Sequence, residues 1–300
     1  MGSDTHIGLA VNSQESPQDR WLGLGLLLLA AGLALNTFLG PLFASSISYP
    51  FSATVFNETL GLEAVSLILV APLAVLAGVL ALRGHRAAPI LAIGPAGYAA
   101  YMLVQYVVGP QYPTYQPSIA LHMGMLILSL TVLVRAWATA ETDHLPPISG
   151  AWAIVAFGLT AFVLSRWASA FTGMFNAEPV PAAAPDITMY WSIFLLDIGV
   201  AVPAGVAAGI GLLIGSRWAP KALFGILGWF ALVPPSVASM SIVKLLRDDP
   251  KASTADTIVF VAVTLIFWTL VALLFRRLFA SFDAPATPRQ SPRSAPIASH

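Results

Sequence analysis

Long apolar runs separated by short polar stretches dominate the chain. A bilayer core of roughly 30 Å requires about 20 apolar residues in a helix. Eight runs reach that length, at about 21–44, 60–82, 89–108, 118–138, 150–172, 190–214, 221–243 and 256–279. The pattern predicts an all-α, polytopic transmembrane helical bundle of about eight spans over residues 21–280. Polar tails at 1–20 and 281–300, the second rich in Ser, Pro and Ala, are expected to be disordered and cytoplasmic. The first run, from Trp21 through Leu26 to Leu29, is too long and too poor in Lys/Arg at its front for a cleaved leader, and is expected to be retained. The third run carries Gly94-Pro95 and several tyrosines, and without it the orientation of every later span would reverse.

Composition supports the membrane reading. Of 300 residues, 57% are hydrophobic and 9% charged, against about a quarter charged in an average soluble domain. Lys+Arg and Asp+Glu both number 14, so no bulk charge points to nucleic acid. With no cysteine, disulfides, Cys-metal sites and Cys nucleophiles are excluded. Placed on the spans, the charges are ordered. Arg20, Arg83, Arg86, Arg135, Arg217, Lys221, Arg276, Arg277, Arg289 and Arg293 fall on one side, and Lys244, Arg247 and Lys251 on the other, in a single loop. The positive-inside rule then predicts a plasma-membrane protein with both termini cytoplasmic.

The outer loops are polar and aromatic. Ser45 to Thr59 holds the sequon Asn57-Glu58-Thr59, Gly109 to Pro117 reads GPQYPTYQP, and Gly173 to Thr188 is rich in Pro and Ala. Tyr112, Tyr115, Tyr190 and Trp191 suit an interfacial aromatic belt. Within the spans, an ionisable side chain at mid-bilayer costs about 2.5–3.5 kcal/mol on insertion scales, so each one calls for a reason. Glu63, His122, Arg166 and Asp197 all lie toward the outer face, with Asn36 at a similar level and Tyr98, Tyr101 and Gln105 on one face of the third span. The inner half carries no matching set. This predicts a polar pocket open to the outside, formed by these eight residues. Arg166 and Asp197, on adjacent spans at similar depth, are expected to pair, either as a staple or as a site in which Arg166 holds an acidic ligand. Glu63 reads as a wetted interfacial carboxylate, and His122 as a hydrogen-bonded histidine beside an outer loop.

Residues 62–94 and 196–228 align at an offset of 134, with Leu62-Glu63 on Leu196-Asp197, Arg83 on Arg217 and Gly94 on Gly228. An even number of spans would separate the halves, making a parallel repeat. Pro41, Pro72, Pro95, Pro203, Pro234 and Pro235 fall within spans and predict kinks. Gly205 and Gly209 form a GxxxG face expected to pack inside the bundle.

Catalytic motifs are missing. Glu63, His122 and Asp197 are residue types that bind zinc or iron, but they lie on separate spans without HxxxH, ExxH or HExxH spacing, so no metal and no cofactor is expected. There is no GxSxG, P-loop or Asp-rich diphosphate motif. The stretch FLLDIGVAVPAGVAAGIGLLIGSRWAPKALFGILG, Phe194 to Gly228, together with the tyrosine-rich third span, resembles a loose group of uncharacterised prokaryotic eight-span membrane proteins. The resemblance implies the architecture and no activity, and the single Arg of the turn Ser216-Arg217-Trp218 departs from the basic run of that group. The expected partners are the lipid bilayer and a small polar or anionic ligand from the outer side, with the oligomeric state open. Transport or binding of a small solute or ion is the first functional expectation. A structural or accessory subunit is the second, and an enzyme acting on a lipid-like substrate at the outer leaflet is the third.

Overall fold

The computed structural model describes residues 19–143, 145–178, 180 and 186–283. Nearly all of the two predicted tails and part of the Gly173–Thr188 loop lie outside them. The elements are α1 (Arg20–Leu39), α2 (Ala53–Val65), a π-helical turn (Ser66–Val70), α3 (Ala71–Leu82), α4 (Ala88–Val108), α5 (Pro117–Thr139), α6 (Trp152–Arg166), α7 (Ala168–Phe175), α8 (Ile187–Leu196), a second π-helical turn (Asp197–Ala201), α9 (Val202–Leu213), α10 (Ala219–Phe230), α11 (Val233–Leu246) and α12 (Thr254–Asp283). No strand occurs among the described residues. Seven helical stretches among the described residues are long and apolar enough to cross a membrane, and the pair α6 and α7, bent by 51°, brings the number to eight if it counts as one span. Side chains such as Leu28, Ile68, Ile127, Val134, Ile154 and Ile266 face outward on these helices, as a bilayer requires. The protein is therefore a multi-pass, all-α membrane bundle.

Two elements start or stop away from the predicted edges. α1 ends at Leu39, so Pro41 sits in the turn that follows and not within a span. α2 begins at Ala53, seven residues before its apolar run, because Ser52 caps it by accepting from the Val55 N–H. At this end of the bundle Lys244 Nζ contacts Glu58 Oε1 at 2.8 Å, while Asn57 and Thr54 donate to Asp249 at 2.8 and 3.1 Å. Of the three cations that run against the charge bias, Lys244 is thus neutralised locally, and the sequon asparagine is buried in a hydrogen bond.

The internal repeat is present, but its register differs from the offset of 134. A shift of 131 carries Pro72 onto Pro203, Gly78 onto Gly209, Gly84 onto Gly215, Arg86 onto Arg217, Ala88-Pro89 onto Ala219-Pro220, Gly94 onto Gly225 and Gly97 onto Gly228. The backbone obeys the same shift. Each π turn ends two residues before its proline. Proline lacks the N–H that an α-helix would use there, and a widened turn re-routes the neighbouring bonds. Gly84 and Gly215 both take positive φ, 70° and 69°. The next residues, His85 and Ser216, donate to Leu80 O at 2.9 Å and Gly211 O at 2.8 Å, closing α3 and α9 in the same left-handed way. In this register Asp197 corresponds to Ser66 and Glu63 to Phe194, so the two acids are not counterparts. The offset of 134 matches Arg83 to Arg217 at the expense of the glycines and prolines that fix the backbone.

The packing repeats as well. α1 lies against α3, where Gly23 and Gly78 approach each other's carbonyls, and α6 lies against α9, where Gly205 and Gly209 meet Thr160 and Phe157. The GxxxG face thus packs within the bundle, as expected. The halves join where α4 crosses α10: a Cβ on Gly94 would lie 2.8 Å from the carbonyl carbon of Gly228. α4 is the most enclosed of the spans.

Two outcomes follow from this packing. A Cβ on Gly61 would fall 2.5 Å from the Met240 backbone nitrogen, whereas one on Gly124 meets nothing within 4 Å. Gly61→Ala should therefore force α2 from α11 and lower stability by about 1–3 kcal/mol. Gly124→Ala should be neutral or stabilise by up to about 1 kcal/mol; thermal unfolding in detergent compares the two. Burial by itself raises the Asp249 carboxyl. The hydrogen bonds from Lys251 N–H, Asn57 and Thr54, together with the Lys244 charge, outweigh it and hold its pKa below the ordinary aspartate value. Its contribution to stability is then present above an unfolded pKa of about 3.9 and is lost as pH falls through the lower folded value. Asp249→Asn should remove that part of the acid dependence of the melting temperature.

Candidate functional site

The polar residues predicted to share one pocket separate into two groups. The first is built where the end of α1 and the turn after it meet α2, α4 and α5. Asn36, in the last turn of α1, accepts from His122 Nε2 through its Oδ1 at 2.7 Å. An amide oxygen only accepts, so Nε2 carries the hydrogen and Nδ1 of the neutral ring presents a lone pair. The ring of His122 is stacked with Tyr106 of α4 at a centroid distance of 5.1 Å, and Tyr106 is stacked with Tyr49 at 5.2 Å. Tyr49 also approaches His122 Nε2 at 3.4 Å through its hydroxyl. Thr37 donates to the backbone oxygen of Glu63 at 3.4 Å, tying α1 to α2.

Glu63 lies at the base of this group with no solvent exposure. It is ten residues into α2, about 15 Å along the axis, and is not the wetted interfacial carboxylate expected from an apolar run starting at residue 60. A Cβ on Gly40 would fall 2.5 and 2.6 Å from its two carboxyl oxygens. A larger residue at position 40 would have to displace the carboxyl group, and its Cβ would also crowd the Asn36 carbonyl at 2.9 Å.

Five buried side-chain atoms lack a well-formed hydrogen bond among the described residues: Glu63 Oε1, Glu63 Oε2, Tyr106 OH, Tyr112 OH and His122 Nδ1; the Leu42 N–H approaches the Glu63 carboxyl and the Ser118 side chain approaches the Tyr112 hydroxyl. All belong to this one neighbourhood. Tyr49 and Tyr106 each interact electrostatically with Glu63 and Tyr112, and the two tyrosines and His122 form the ring stack. Buried polar groups in folded proteins are almost always paired, and a buried amide or hydroxyl left unpaired costs about 1–3 kcal/mol. Such a concentration in one place, in a bundle otherwise well satisfied, marks a locus with donors and an acceptor directed at something other than protein.

The second group centres on Asp197, in the π turn after α8. Tyr101 donates to Oδ1 and Trp167 Nε1 to Oδ2, both at 2.8 Å. Both oxygens are engaged and the side chain is buried. The expected Arg166–Asp197 ion pair does not form. The helix breaks after Arg166, turning that side chain outward to lie over the Phe260 ring at 5.4 Å, and it is the next residue, Trp167, that turns inward to the acid. Tyr98 goes elsewhere: its hydroxyl is 2.6 Å from Ser236 Oγ on α11, which donates onward to Leu232 O. Gln105 is buried and only reaches the Tyr101 carbonyl at 3.5 Å. Tyr98, Tyr101 and Gln105 thus share a helix without sharing a site.

Beside the Tyr101–Asp197 contact, a cleft of about 470 Å³ opens between α4, α5, α9 and α10. Gly97, Leu133, Ala204 and Trp218 are among its walls, and Tyr101 is its polar edge. With Asp197 already held by two donors, the cleft carries no free acid or base. Among the described residues no group of three or more His, Asp or Glu is disposed to hold a metal. Asp197 stands with Tyr101 and Trp167, apart from Glu63 and His122.

Sequence reasoning singled out Asn36, Glu63 and His122, which the fold brings together. It missed Tyr49, Tyr106 and Trp167, and it assigned Tyr112 to an interfacial belt. A tyrosine in an outer loop gives no local sign that it folds back over a span. The inward turn of Trp167 is set by a helix break that the apolar pattern does not show.

Removing the Asp197 side chain strands two buried donors. Asp197→Ala should cost about 1–3 kcal/mol or more, whereas Arg166→Ala should stay within about 0.5 kcal/mol. Thermal unfolding in detergent distinguishes this from an Arg166–Asp197 staple, for which both losses would be large.

The chain matches no protein-family model, no curated protein and no solved structure.

Proposed function

We propose that this membrane protein binds and translocates a small polar solute or ion through the buried centre formed by Glu63, Tyr106, Tyr112 and His122. The observation that carries this reading is the gathering of every unpartnered buried side-chain atom among the described residues at this one place. In the hydrocarbon layer, an ionisable side chain without a partner is retained at a cost, and function is the usual reason. The donor and acceptor set is mixed. Tyr106 and Tyr112 offer hydroxyls, His122 Nδ1 offers a lone pair and Glu63 offers a carboxyl group. That suits a ligand able both to donate and to accept. By the charge bias of the loops, the centre lies in the outer half of the bilayer, and Tyr112 belongs to the outer loop beside it.

The Asp197 group has no comparable free atoms and reads as a structural tie between the second repeat and α4. This weakens the lipid-enzyme expectation, which relied on Asp197 as an acid or base. A purely accessory subunit would have no use for a carboxyl group sealed without a partner.

Purified protein reconstituted in liposomes, screened for uptake and for thermal stabilisation against small polar solutes and inorganic ions, tests the proposal. Glu63→Gln and Tyr106→Phe should abolish the uptake and stabilisation seen with the native protein while preserving the melting temperature of the ligand-free state. Uptake retained in full by both variants would refute the assignment.

A further inference from the structure

We infer that Glu63 is a proton-carrying residue, exchanging its proton with the outer medium by way of the Tyr106 and Tyr112 hydroxyls, and not a ligand for a metal cation. This rests on the functional reading of the same centre and specifies what Glu63 binds.

The argument is geometric. The carboxyl group is fully buried, no side chain pairs with either oxygen, the one backbone group that approaches it is the Leu42 N–H, and Gly40 closes on both oxygens. Sodium, potassium, calcium or magnesium would require several oxygen ligands around one point, about six for the divalent ions. Here one carboxyl stands beside tyrosine hydroxyls and a neutral imidazole, with the end of α1 packed where a coordination shell would have to fit. A proton needs one lone pair and no space.

The surroundings of Glu63 contain no compensating charge. From α1 and the turn after it, Thr37, Gly40 and Leu42 meet it, and Tyr49 and the α4 residue Tyr106 lie near it, with Tyr112 and the α5 residue His122 beyond them, against Tyr49 and Tyr106. None of these is a cation with His122 neutral. On α11, which packs against α2, the cation is Lys244, and it is already held by Glu58. A carboxylate left alone in such a place would carry the desolvation cost of a full charge, and a carboxylic acid avoids it. The unpartnered hydroxyls lead toward the Gly109–Pro117 loop. The hydroxyls are not in hydrogen-bond contact with the carboxyl or with each other, so the transfer requires intervening water. The Oε–H bond of Glu63 breaks, a water molecule takes the proton as it releases one of its own to a tyrosine hydroxyl, that hydroxyl releases its proton toward bulk water, and the return reverses each transfer.

Infrared difference spectroscopy of the full-length protein in liposomes, between acidic and alkaline medium, tests this. The expected result is a carboxylic-acid C=O band that shifts in D2O, disappears at alkaline pH and is lost completely in Glu63→Gln. Tyr106→Phe should keep the band and slow its exchange. A native spectrum without such a band, a band unchanged by Glu63→Gln, or a carboxylate signal that responds to added sodium, potassium or magnesium at constant pH would overturn the inference. Solute uptake that depends on Glu63 without the pH-sensitive band would leave the functional reading standing and remove the proton assignment. The band without any Glu63-dependent uptake would do the reverse.

Discussion

The cost of leaving a polar group unpaired in hydrocarbon shapes this protein at every level. It requires helices, because only a helix satisfies its own backbone within one segment. Where Pro72 and Pro203 interrupt that pattern, the chain widens into a π turn. Where α3 and α9 end, Gly84 and Gly215 turn left-handed so that the following N–H reaches back to an orphan carbonyl. At the basic end of α10, Lys221 is buried against α5, donating to the carbonyls of Trp137 and Ala140 at 2.9 and 3.3 Å. Asp197 is accepted only with a donor on each oxygen. Against that background Glu63 stands out, because the same rule is broken there and almost nowhere else.

The two repeats share a backbone more faithfully than they share chemistry. Glycines and prolines recur in register because they set close approaches, helix ends and widened turns, which both halves need. The polar residues do not recur. Asp197 occupies the place of Ser66, and Phe194 that of Glu63. The halves have kept the scaffold and diverged in what it holds. One half ties Asp197 to Tyr101 and Trp167, and the other closes Gly40 over a partnerless acid. The join at Gly94 and Gly228 brings the two backbones into contact without side chains between them, so that α4 contributes to both polar groups.

Much of the architecture was legible in the sequence, since span length and the placement of Arg and Lys depend on local composition. The register of the repeat was not, because alanine and leucine match at many offsets and the acids and arginines coincide at the wrong one. Depth along a helix was readable only in part: Asn36 and His122 do meet, but Glu63 lies deeper than expected because α2 begins seven residues before its apolar run. Direction around the helix was not readable. Arg166 and Trp167 are adjacent, and a break between α6 and α7 decides which of them faces Asp197. Tyr49 contributes from a loop whose path over the bundle has no periodicity to betray it.

The central claim is that the atoms of Glu63, Tyr106 and His122 are arranged for something other than one another. A high-resolution experimental structure in lipid, determined at acidic and at alkaline pH, tests it most directly. The account predicts ordered non-protein density within hydrogen-bond distance of the Tyr106 hydroxyl and His122 Nδ1, with the Glu63 carboxyl still lacking a cationic partner. Glu63 paired with a protein cation or with backbone amides through both oxygens, and no density beside Tyr106 and His122 at either pH, would contradict it.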